Sequence, residues 1–217
     1  MAAAAAPAPQ VICLGEALVD RLGPLGGDAA TAPAEQCDDR LGGAPANVAC
    51  ALARLGTSAA LAGRLGSDAI GEAFRQLLLS RGVDQSALQS DPTRPSRIVL
   101  VRRDAGGDRS FGGFAGDRGE GFADQALDAA ELAAQLPALL AAARWLQVGS
   151  IPLASSASAQ ALEQALTLAQ GSGVAVALDV NWRPTFWDAA ADPDAAPGLA
   201  TRARLQPLLE RARLLKL

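Results

Sequence analysis

Short apolar runs alternate with longer amphipathic stretches along most of the chain. Val11-Ile12-Cys13-Leu14, closed by Gly15, reads as a strand covered on both faces. Residues 22–37 are rich in Gly, Ala and Pro without a helical period, and predict loops and short strands. From Pro45, apolar residues at Val48, Leu52 and Leu55 mark one face of a helix that Gly56 ends. Residues 59–62 predict a second buried strand, and Asp68 caps a helix running to about Ser80 that Gly82 stops. Residues 97–102 and 109–114 then read as two strands, joined by the turn-forming Asp104-Ala105-Gly106-Gly107-Asp108. Helix follows at 128–143, with Pro137 placed to split it, then a strand at 145–148 ended by Gly149. A helix at 155–170, a strand at 174–178, a helix at 201–212 and the beginning of a strand at 213–217 complete the series. Strands spaced by helices of this length imply right-handed crossovers, hence an α/β, doubly wound, mostly parallel sheet. The polar hairpin and the irregular segment, about residues 97–115 and 22–40, would lie outside that sheet as a small β flap over one end.

Composition narrows the chemistry. Half of the 217 residues are hydrophobic, enough for a core, although 50 of them are Ala. A net charge of −4 argues against a nucleic-acid surface. The absence of His excludes imidazole bases, Ser-His triads and His-zinc sites. Lys216 is the single lysine, so neither a Walker A loop nor a protein-kinase strand lysine is present. Proton transfer would fall to Asp or Glu. Cys13, Cys37 and Cys50 form no CxxC pair and read as reduced thiols of a cytoplasmic protein. Residues 1–10 are an Ala/Pro tract read as a disordered tail, and no apolar run approaches the ~18 residues of a membrane span. Residues 11–217 would form one domain. Because Leu214, Leu215 and Leu217 make a central-strand sequence at the last residue, the chain reads as the N-terminal portion of a longer protein.

The most specific stretch is Leu41-Gly42-Gly43-Ala44-Pro45-Ala46-Asn47-Val48-Ala49. Its glycines allow close backbone approach, Pro45 suits a first helical turn, and free N–H groups at a helix start bind polar ligands. Alone, such a Gly-Gly reads more readily as a tight turn. With its spacing to Gly56 and Gly66, however, the stretch resembles the first signature of the ribokinase-like (phosphofructokinase B-type) carbohydrate kinases. Gly15-Glu16-Ala17-Leu18-Val19-Asp20 is similar to that family's G-E-x-x-x-D. Residues 63–71 resemble its G-x-x-G-x-D-x-x-G, and Asp179-Val180-Asn181-Trp182-Arg183-Pro184 the D-x-N-x-R-P of its fructokinase branch.

That resemblance implies a ribokinase-like fold and a sugar kinase, fructokinase first, transferring the γ-phosphoryl group of ATP with Mg2+ to a sugar hydroxyl. Asp20, expected at the C-terminal end of the first strand, would accept hydrogen bonds from two sugar hydroxyls. Gly42, Gly43 and Asn47 would contact the same sugar, Phe111 and Phe114 would close over it, and Asn181 and Arg183 would complete the site. Paired flaps imply a homodimer. The sequence departs from the pattern in two ways. Phe114-Ala115-Gly116-Asp117-Arg118 lacks the Arg that often follows the flap aromatic, and neither the family's G-A-G-D nor its N-x-x-E motif occurs. The catalytic Asp is therefore expected outside these residues, with Asp117 and Asp179 the first substitutes. The alternatives are a ketodeoxygluconate or nucleoside kinase, or a non-catalytic sugar-binding or dimerisation fragment. An oxidoreductase is disfavoured because no G-x-G-x-x-G follows the first strand.

Overall fold

A computed structural model describes residues 7–116 and 121–217. Its larger sheet holds six parallel strands in the order β10-β9-β8-β1-β4-β5. They are β1 (Val11–Leu14), β4 (Ala59–Gly66), β5 (Leu88–Asp91), β8 (Trp145–Gly149), β9 (Ala175–Asp179) and β10 (Ala212–Lys216). The chain runs from β1 outward to β4 and β5, then crosses back to β8 on the other side of β1. That reversal beside β1 is the switch point at which open α/β sheets form a crevice.

Strand alternation sorts side chains to the two faces. Ile12 and Leu14 of β1, with Ala60 and Ala62 of β4, meet Leu132, Leu136 and Leu140 of α3 (Ala129–Leu140) and Ala161, Leu162 and Ala165 of α4 (Ser156–Gly171). Cys13, Ala59, Leu61 and Leu65 turn the other way, onto Ala46 and Ala49 of α1 (Ala44–Arg54) and Phe74 and Leu78 of α2 (Ala69–Arg81). Each fully buried Leu here contributes on the order of 2 kcal/mol of transfer free energy. Asp68 caps α2 as expected, accepting the Gly71 N–H at 2.8 Å, and Gly82 ends it at φ 70°. Pro137 does not split α3, because it stands in the helix's last turn, on the exposed side.

Four strands form the second sheet, in the order β3-β2-β6-β7. These are β2 (Leu18–Leu22), β3 (Asp38–Gly42), β6 (Ile98–Arg103) and β7 (Arg109–Phe114). β2 and β6 run parallel, with β3 and β7 antiparallel at the edges. This lid begins at Leu18, earlier than the expected residue 22. Asp20 consequently sits in the middle of a lid strand and not at the end of β1, because Gly15 breaks β1 and the alternating Leu18, Asp20, Leu22 face starts a new strand.

At the N-terminus, order extends into the expected tail. The Ser58 hydroxyl donates to the Ala8 carbonyl at 2.9 Å, and the Gln10 carbonyl accepts from the Arg144 N–H at 2.8 Å. The chain enters β1 between the residues directly before β4 and β8, Ser58 and Arg144, which offer those partners. Beyond β9, the short helix α5 (Pro184–Trp187) precedes α6 (Leu199–Arg211) and the edge strand β10, whose Leu214 and Leu215 are exposed. No helix among the described residues is long and apolar enough to cross a membrane.

Candidate functional site

A cavity of about 470 Å3 lies between the lid and the C-terminal ends of β1, β8 and β9. The lid contributes Leu18, Leu22, Val99, Val101 and Phe111 as an apolar wall, with Asp20 and Arg109 as its charged members. The start of α1 brings Gly43 and Asn47, and the segment after β9 brings Asn181 and Arg183. Six of the eight residues expected from sequence therefore meet around one space.

Local backbone explains the convergence. Gly43 has φ 95°, and a Cβ there would stand 2.5 Å from the Glu16 carbonyl oxygen, so only glycine passes. Asn47 then falls on the exposed side of α1's first turns, its N–H already spent on the Gly43 carbonyl and its side chain free for the cavity. Asn181 takes φ 39°, a left-handed turn that Asn tolerates better than most residues. Its N–H donates to the Asp179 carboxylate at 3.1 Å, which locks the turn as the chain leaves β9. Arg183 is exposed on the rim, and its Nη1 donates to the Trp182 carbonyl at 2.9 Å.

The other two expected residues stand behind the cavity. Gly42 opposes β2, and a Cβ there would reach 3.0 Å from Asp20 Oδ2, so its bareness makes room for the carboxylate instead of touching a ligand. Phe114 is buried: its ring packs edge-on against Phe111 at 5.1 Å and Phe186 at 5.2 Å, with the Arg97 guanidinium 5.0 Å from its centroid. It supports Phe111 and does not itself cover the space. Asp179 lies outside the lining, buried, and accepts the Lys216 ammonium at 2.7 Å, so it is poorly placed as a base. Asp117 lies outside the described residues.

Electrostatics separates the two carboxyls on the lining. Burial pushes the half-buried Asp20 carboxyl up, and the Arg109 cation pulls it back. Glu16 is 3% exposed, and burial pushes its carboxyl up to about 7. One of its oxygens accepts the Ala44 N–H at 3.2 Å, while the other is buried without a hydrogen-bond partner. Glu16, Arg109 and Phe186 line the cavity without having been singled out from sequence. Glu16 was visible inside G-E-x-x-x-D, but nothing in that spacing distinguishes it from a turn residue. No group of three or more His, Cys, Asp or Glu among the described residues could hold a metal ion.

Fold and cavity together describe a lidded α/β protein with a polar-lined cavity at the switch point of a parallel sheet. The chain belongs to the pfkB family of carbohydrate kinases, whose profile matches residues 8–202. It is 33% identical to a fructokinase of Escherichia coli over 178 residues, covering 82% of this chain and 52% of that protein. It is 33% identical to fructokinase-1 of Oryza sativa subsp. japonica over 177 residues, again covering 82% of this chain and 52% of the relative. Among solved structures, a fructokinase of Xylella fastidiosa superimposes with a TM-score of 0.77 at 28% identity, over 94% of this chain and 58% of that one. A fructokinase from the same organism has also been solved with bound ATP. The chain spans about half the length of the curated relatives it matches.

Proposed function

We propose that the lidded cavity is a sugar-binding site and that the chain is the sugar-binding portion of an ATP-dependent kinase of the fructokinase type. The observation that carries this reading is the composition of the cavity wall. A carboxylate (Asp20), two carboxamides (Asn47, Asn181) and two guanidinium groups (Arg109, Arg183) surround one space, backed by the apolar lid face. A polyol presents several hydroxyls on one side and C–H groups on the other, which suits that division. Asp20 would accept from two neighbouring hydroxyls, Asn47 and Asn181 would both donate and accept, and Phe111 would cover the C–H face. The two curated relatives described above are fructokinases, which favours fructose as the sugar.

In the complete reaction a sugar hydroxyl oxygen bonds to the γ-phosphorus of ATP, the bond to the ADP oxygen breaks, and the hydroxyl proton passes to a base. These residues would hold and orient the sugar and exclude water under the lid. Of the described carboxyls near the cavity, Asp20 would be engaged by hydroxyls, Asp179 is held by Lys216 and Glu16 is bonded to the Ala44 N–H with its second oxygen buried, so the proposal assigns the base to none of the three. Mg2+ would accompany ATP, but the described residues offer no acidic cluster to hold it. A cytoplasmic setting, where ATP is supplied, and pairing of two copies through the lid edges β3 and β7 belong to the same proposal.

Isothermal calorimetry of the chain with D-fructose tests the reading: saturable binding is expected, and its absence would refute it. The two rim arginines favour a second reading, a sugar acid such as ketodeoxygluconate. That reading gains the site if the acid binds and fructose does not.

A further inference from the structure

Four chain crossings join the lid to the main sheet, and their charged residues meet in one buried cluster. Glu16 lies in the crossing from β1 to β2, Arg97 directly before β6, and Asp124 just after the return from β7. The fourth crossing, from β3 into α1, is held by Glu16 through the Ala44 N–H. Arg97 is 2% exposed, and its Nε donates to both Asp124 oxygens at 3.2 and 3.0 Å. Its guanidinium lies within about 5 Å of three rings: Phe114 from the lid, Phe122 from the return segment and Phe186 from α5 (5.0, 4.7 and 4.8 Å). The Arg97 carbonyl accepts the Val19 N–H of β2 at 2.9 Å, so this residue ties both central lid strands together.

The cluster is incompletely bonded. Glu16 Oε2 and Arg97 Nη1 are both buried without partners, one an acceptor and the other a donor. They line the same void of about 10 Å3, with Asp124 beside them and Arg64 committed to Asp91 and Gln89. A void that size is too small for any sugar. Buried groups in proteins are satisfied as a rule, and an exception calls for an explanation.

We propose that Glu16 and Arg97 are positioning residues for the lid: Glu16 Oε2 and Arg97 Nη1 pair whenever the lid tightens over the cavity, transiently without a ligand and persistently with one, so the crossings themselves set where the lid rests. Neither residue needs to touch the ligand for this. The proposal uses the sugar reading only in its choice of probe.

The test measures the lid directly, by electron–electron double resonance between spin labels at Leu25 on the lid and Leu79 on α2. Both side chains are exposed, at 66% and 68%. The full chain carries Cys13→Ala, Cys37→Ser and Cys50→Ala as background, its fold checked by circular dichroism. Glu16→Gln retains the acceptor for Ala44 but turns a donor toward Arg97. Arg97→Met is combined with Asp124→Asn so that Asp124 does not become a buried carboxylate stripped of its partner. Without sugar, both variants should broaden the distance distribution of the parent. With saturating D-fructose the parent should contract and narrow, while both variants should not, and their affinity should fall roughly tenfold. The combined triple variant should be no broader than the Arg97 variant alone, as expected for two residues acting through one contact. Distributions in Glu16→Gln that match the parent with and without fructose would overturn the proposal. A parent that fails to bind fructose refutes the sugar reading alone, because the sugar-free comparison still decides this one.

Discussion

Asp20→Asn is the most informative single substitution at the cavity. Asn is isosteric, so the lid strand, the space that bare Gly42 leaves for this side chain and the apolar wall should all survive. What changes is the strength of two hydrogen bonds to neighbouring hydroxyls. Bonds to a charged acceptor are worth about 1.5–3 kcal/mol and neutral ones about 0.5–1.5, a loss of roughly 1 kcal/mol per bond. Two bonds give about 2 kcal/mol, or roughly thirtyfold in affinity. An opposing effect bears on stability: burial already disfavours the Asp20 charge, and a neutral Asn removes that penalty. Affinity should therefore fall while the melting temperature stays level or rises. Calorimetry with D-fructose at neutral pH, paired with thermal unfolding, reads both quantities. Affinity within twofold of the parent would remove Asp20 from the site. A drop in affinity accompanied by a lower melting temperature would make its role structural and refute the reasoning.

Three further outcomes are expected. Glu16 is held at about 7 in the folded chain against an ordinary value of 4.5, so the folded state keeps its proton where the unfolded state releases it. Stability from this group is therefore highest below pH 4.5 and declines as pH rises to about 7, by on the order of 3 kcal/mol; Glu16→Gln should flatten that slope in urea titrations. Asp68 behaves oppositely: burial pushes its carboxyl up, but donors from Gly71 and Ser96 outweigh that and hold it below the usual range, so its contribution is present above about pH 4 and lost in acid. Asp68→Ala should cost about 2–4 kcal/mol in chemical denaturation, since it removes a helix cap and strands the buried Ser96. Finally, residues 1–217 with Mg·ATP and fructose should give background ADP release in a coupled assay: the sequence contains no G-A-G-D, the motif that the family resemblance implies supplies backbone donors to the phosphoryl group and the base, and one such donor is worth ~10²–10³ in rate.

Much of this architecture was legible in the pattern of apolar positions, and the exceptions share a cause. β1, β8 and β9 are short apolar runs with both faces covered, so their composition alone marks them. β5 escaped because only Leu88 of its four residues is apolar. Two of its polar residues are buried through partners elsewhere in the chain: Gln89 bonds the backbone of Asp128, and Asp91 holds Arg64. Such pairing follows from the fold and leaves no local signal. The cavity residues were found through motif spacing, yet spacing could not tell Phe111, which lines the space, from Phe114, which props it. Three residues apart on a strand should place them on opposite faces, but the register shift between Leu100 and Val101 in the β6–β7 ladder brings both rings to one side. Glu16 and Arg97 were hidden for the reason β5 was: their surroundings are assembled from distant segments.

The lid's central pair carries a consequence for the order of folding. Val19 sits opposite Ile98, about eighty residues further along the chain. The helices α1 and α2 and the strands β4 and β5 lie between them, so closing that ladder bears a large loop-entropy cost unless the intervening segment is already compact. The lid wall of the cavity is accordingly the late-forming part of the molecule, assembled on a framework that must precede it, and β2 waits unpaired on its parallel side during synthesis until β6 has been made. Opening of the native state should retrace that order, with lid amides exchanging with solvent well before those of β1 and β4.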